Sequence, residues 1–202
     1  MKNKKTILVL VIILIISVSI FMVLYCKLFN KDKKPKENIP VDIIKNFNYE
    51  LEERDTSLFK DEYLKLKDIL SKDEIDYIEY AKQIAKLYII DLYTINNKKN
   101  IYDCGSLEYI YPDIKENFEL KVKDTLYKYI ENDTGNRKQA LPQVSNISID
   151  ECIEDSLIFN GKTMPSYNIK ISWDYIEDLG YDKVAELILV QENGKVYVLE
   201  QK

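Results

Sequence analysis

Residues 184–200 read VAELILVQENGKVYVLE. Apolar and polar side chains alternate on both sides of Glu192-Asn193-Gly194, the period of a half-buried strand. Asn-Gly between two such runs supplies the positive-φ pair of a tight hairpin. Strands are therefore expected over residues 184–191 and 195–200. The same period appears upstream over residues 167–176 and 144–153, with Leu179-Gly180 and Asn160-Gly161 marking the reversals. Four strands joined by consecutive reversals form an antiparallel meander.

Before Leu141-Pro142 the apolar period lengthens to that of a helix. Arg54-Asp55-Thr56-Ser57 offers turn and N-cap chemistry ahead of a helix over residues 58–70. Ser71-Lys72-Asp73-Glu74 has the spacing of a capping box and predicts a long helix running to about Thr94. There Ile78, Ala81, Ala85, Tyr88 and Leu92 form one stripe, and Tyr77, Tyr80, Ile84 and Leu87 a second. A third helix is expected over residues 112–132, with Pro112 in its first turn and Phe118, Val122 and Leu126 on one face. A short strand over residues 47–53 precedes them all. Helices first and strands last define an α+β domain, with three helices packed on one face of a four-stranded antiparallel sheet.

The other end of the chain is of a different kind. From Ile7 to Tyr25 it reads ILVLVIILIISVSIFMVLY, with Ser17 and Ser19 as its polar residues. At ~1.5 Å per residue this run matches the ~30 Å hydrocarbon core of a bilayer. No small-residue cleavage pattern follows it, so an uncleaved anchor is favoured over a signal peptide. Tyr25 before Cys26 fits a lipoprotein poorly. The chain thus divides into a basic tail (1–5), a transmembrane signal anchor (6–27), a polar basic stem (28–40) and an acidic α+β domain (41–202). Lysines flank the anchor on both sides, but a short basic tail opening into an apolar run places the domain outside the cytoplasm.

Composition excludes several chemistries. There is no histidine in the chain, which removes His-dependent triads, His-ligated metals and a histidine proton shuttle. Cys26, Cys104 and Cys152 are too few and too far apart for a cysteine metal cage. Net charge is −5, and the first 37 residues hold eight lysines against two acids, so the remainder carries −11. An acidic domain without a basic stripe argues against nucleic acid as a partner. No cofactor is expected.

The stretches LEERDTSLFKDEYLKLK (51–67), IAKLYIIDLYTINNK (84–98) and ENFELKVKDTLYKYIE (116–131), with the order of elements, carry a resemblance. The chain resembles the nuclear-transport-factor-2-like fold in its membrane-tethered form, as in conjugation and type IV secretion channel subunits, and in tethered or lipoprotein relatives of low-GC Gram-positive bacteria. That resemblance implies a curved sheet wrapping the long helix around a cavity, and an accessory role in envelope assembly.

The residues to inspect in such a pocket are Asp91, Tyr93, Trp173 and Tyr175, with Asp174 beside them. Asp91 lies on the apolar side of the long helix. An acid there either caps a loop or pairs with a Lys or Arg, the commoner case for buried acids, or serves as a pocket acid. Trp173 reads first as a large core residue. No residue set specifies catalysis. The expected function is therefore assembly or binding, with a protein partner or a second copy, and a ligand-binding pocket as the alternative. A proton-transfer enzyme using Asp and Tyr is the least favoured.

Overall fold

Asn193 (φ 52°) and Gly194 (φ 78°) form the turn read from residues 184–200, in the left-handed pair that a two-residue hairpin needs. The computed structural model describes residues 40–131 and 137–202, together with Leu14, Val18 and Met22. The expected tail, anchor and stem otherwise lie outside the described residues, as does the end of the third predicted helix. Leu14, Val18 and Met22 are helical and exposed. Among the described residues no helix is long and apolar enough to cross a membrane.

Residues 1–37 and 38–202 are separate compact units. In the second, β1 (Pro40–Ile44) and β2 (Tyr49–Glu52) pair as a hairpin. Then come α1 (Ser57–Leu70), α2 (Tyr77–Tyr93) and α3 (Lys115–Asp124). The chain closes with β3 (Val144–Phe159), β4 (Lys162–Tyr175), β5 (Val184–Glu192) and β6 (Lys195–Gln201), antiparallel in that order. The result is α+β, with three helices packed on a four-stranded antiparallel sheet. α2 lies against α1 on one side and against all four strands on the other. Its sides are therefore apolar nearly all round, and Tyr80, Ile84, Leu87 and Tyr88 are wholly enclosed. Among the described residues, every buried member of the main core falls between Tyr49 and Val198, so the unit 38–202 holds a core of its own.

Four expectations need correction. The stem was expected to reach residue 40, but Pro40–Ile44 is a strand. Only five residues long and facing water on alternate side chains, it gives a weak periodic signal. The Ser71–Glu74 capping box does not form. Ser71 ends α1, its hydroxyl donating to the Asp68 carbonyl (2.8 Å), and Asp76 caps α2 by accepting from the N–H groups of Ile78 and Glu79. The third helix is shorter than the expected residues 112–132, because a 3-10 turn (Pro112–Ile114) precedes it and Thr125 breaks it. The Thr125 hydroxyl donates to the Lys121 carbonyl, and the buried Tyr127 hydroxyl is drawn to the Leu92 carbonyl. β3 and β4 extend to the Asn160-Gly161 turn, well past the expected residues 153 and 167. Polar residues at 154–156 and Pro165 disguise these ends, which pair nonetheless.

Among the described residues, the sheet has one covered edge and one unpaired edge. Beside β6, Tyr109 accepts from the Val198 N–H (2.8 Å), and the Tyr111 N–H donates back to Val198 (3.0 Å). Tyr111 then crosses to the outer face, where its ring meets Phe159 and Tyr197 over Met164 and Val190. β3 forms the opposite edge.

Candidate functional site

Asp91 and Tyr93 sit two residues apart on α2, which turns their side chains ~200° from each other. The expected pocket set is divided by this geometry. Asp91 faces the loop between α2 and α3, and Tyr93 faces the sheet with Trp173 and Tyr175.

Asp91 organises that loop. Its carboxylate receives the ammonium of Lys98, a side chain 1% exposed, and the backbone N–H of Ser106. The Ser106 hydroxyl donates to the Tyr88 carbonyl (2.7 Å), which helps hold Ser106 at φ 64°, a left-handed conformation rare for serine. Gly105 lies so close that an added Cβ would stand 2.8 Å from the Asp91 carbonyl oxygen. This is the loop-capping, lysine-paired carboxylate. The two arginines in the chain grip the same loop. Arg54 binds both carboxylate oxygens of Asp103 and donates to the Asn97 carbonyl, and Arg137 donates to that of Lys99.

Beneath the loop lies a charged well of about 310 Å³ that Asp91, Lys98, Arg54, Asp55 and Glu108 help line. Two of its carboxyls hold the free edge of β2. Asp55 accepts from the Glu52 N–H (2.7 Å) and Glu108 from the Glu50 N–H (3.2 Å). Burial pushes Asp55 up to about 6 and Glu108 up to about 8, against weaker opposing hydrogen bonds. The buried Tyr109 hydroxyl lies beside Glu108 without reaching hydrogen-bond geometry.

Tyr93, Trp173 and Tyr175 do come together. The Tyr93 and Trp173 rings are 4.9 Å apart, and the Tyr175 hydroxyl donates to the Asp182 carbonyl (2.8 Å). Burial holds both phenols above their usual range, so they are neutral donors at physiological pH. Trp173 is buried in the core, as first read. Asp174 points to the other face, exposed beside Asn146.

Tyr93 opens this cluster onto a cleft of about 560 Å³ between α2, α3 and β6. Leu92, Ile110, Phe118, Val122, Leu126 and Val198 give it apolar walls. A hydrogen-bonded row crosses it: the Tyr88 hydroxyl donates to Gln201 Oε1, and Gln201 Nε2 donates to the Tyr93 hydroxyl, both at 2.7 Å. Lys121, Asp182, Glu200 and Lys202 stand exposed at the rim. Of the expected residues Tyr93 alone lines this cleft. Gln201 and the face of α3 were missed as pocket residues because they meet Tyr93 only through tertiary packing.

Cys104 and Cys152 are free thiols, and burial pushes Cys104 up to about 12, leaving it a poor nucleophile. Among the described residues no group of acids and cysteines has the arrangement of a metal site. No family model, curated protein or solved structure matches the chain.

Proposed function

We propose that this chain is a membrane-tethered, extracytoplasmic binding domain of the bacterial envelope, of the nuclear-transport-factor-2-like type, that works through the cleft between α2, α3 and β6. The observation that carries the reading is the cleft itself. Its volume falls within the ~300–1,000 Å³ of small-ligand sites, and its walls are apolar with a few fixed polar groups. The charged well, by contrast, has its ions committed to holding a loop and a strand. The tether rests on the hydropathy of residues 6–27, and the sidedness on the basic tail that precedes them.

The test uses residues 38–202 and the emission of Trp173, the single tryptophan, which touches a residue of the cleft wall. Anilinonaphthalene sulfonate, an apolar dye, should bind saturably and perturb that emission. An Ile114→Trp variant, read by dye fluorescence, should fill the cleft and abolish binding. Dye binding that survives the filled cleft would overturn the reading.

A second reading, an assembly subunit, is favoured by the open edge of β3. That strand is 16 residues long and carries Asp150, Glu151, Glu154 and Asp155 with no base, so a partner strand would need to be basic. A cysteine at Ser156, exposed on this strand, should crosslink to a neighbouring chain in cells under that reading and stay uncrosslinked without it.

A further inference from the structure

We infer that the cleft takes a long-chain acyl carboxylate, its head at Asn117 and Lys121 of α3 and its chain along the apolar wall; this rests on the cleft being the binding surface. Asn117 and Lys121 are one helical turn apart and so share a face. They line the cleft beside Phe118 and Val122, an adjacent pair also one turn apart on this helix, with Leu126 just past its end. Helix α3 therefore presents two donors at one edge of an apolar track, the pattern of an amphiphile-binding wall.

The charges at the rim are unequally committed. Lys123, on the same helix, is tied to Glu119 at 2.6 Å. Lys121 has no ion pair among the described residues, so its ammonium is available to a ligand carboxylate. Glu200 faces Lys202 at 3.8 Å. Asp182, the remaining rim acid, sits on the β4–β5 connection beside Tyr93, a different element from the one that offers the donors. An anionic head is thus favoured at the α3 edge and disfavoured near Asp182. Deeper in, Tyr88, Gln201 and Tyr93 are hydrogen-bonded to one another, so the interior offers an apolar chain little polar competition.

The test compares dodecanoate with dodecanol on residues 38–202, below their aggregation concentrations, following Trp173 emission. Dodecanoate should bind more tightly than the alcohol. Lys121→Glu, at an exposed position, should weaken dodecanoate about tenfold and leave dodecanol unchanged, with the same urea midpoint as the parent. Equal binding of the two, indifferent to Lys121→Glu, would overturn the carboxylate assignment while leaving the cleft as an apolar site. Failure of both ligands together with the dye would overturn the assignment and the proposed function alike.

Discussion

At residue scale, Asp91 shows how a single side chain can matter to a fold without doing chemistry. Lys98 is enclosed with Asp91 as its ion-pair partner, so removing that carboxylate leaves a buried charge unpaired. Asp91→Ala should cost about 3 kcal/mol in urea unfolding, since it strands a buried ammonium. Lys98→Met in the Asp91→Asn background should recover most of that loss, because an apolar isostere needs no partner. The carboxyls in the well below predict a pH effect of definite sign. Glu108 binds its proton up to about pH 8 in the folded chain and releases it near 4.5 when unfolded; Asp55 behaves alike between about 6 and 3.8. Between those limits the folded state holds more protons, so stability should fall as pH rises through the interval. Glu108→Gln should flatten the urea midpoint between pH 5 and 8, taken as about the window above. An unchanged slope would mean that Glu108 is as solvated as a free side chain. That Asp91 would cap a loop or pair with a base was legible beforehand, but its partner was not: Lys98 sits in a polar run, and nothing in the order of residues says that it folds back one loop onto Asp91.

At the scale of elements, boundaries followed the nearest competent cap. Both Ser71 and Asp76 precede the long helix, and the sequence favoured Ser71 because Glu74 completes its box. Asp76 prevails because residues 71–76 are needed to turn the chain between two packed helices, and its carboxylate meets two N–H groups at once. Asp76→Ala should cost about 1 kcal/mol and Ser71→Ala only a few tenths, compared by urea denaturation. The hairpin between β5 and β6 was read correctly because its information is local: alternation on either side and a turn that Asn-Gly satisfies comfortably. Gly194→Ala should cost about 1–2 kcal/mol for its positive φ, although the space beside it would admit a Cβ. The far ends of β3 and β4 were lost to the sequence for the converse reason. Fourteen cross-strand pairs hold them together even where the side-chain pattern lapses.

At the scale of the molecule, the proposed tether makes topology the property to measure. A single cysteine placed at exposed Asp61 in a Cys-free variant should react with an impermeant maleimide on intact cells. Reaction only after lysis would place the domain in the cytoplasm and remove the envelope reading. The cleft, the charged well and the β3 edge all lie in the unit 38–202.

What the sequence determined by itself was the part written in local periodicity. Helices α1 and α2, the four-stranded meander with its reversals, the α+β class and the apolar run near the N-terminus were all read from residues within a turn or two of one another. Tertiary structure alone decided which side of a helix each functional candidate faced. It sent Asp91 to a loop and Tyr93 to a cleft, closed β6 with a passing segment, and ended α3 where Tyr127 is pulled towards Leu92. The physical reason is range. Backbone conformation is set by near neighbours, whereas a pocket is made where residues distant in the chain are packed together, as Tyr93 and Gln201 are.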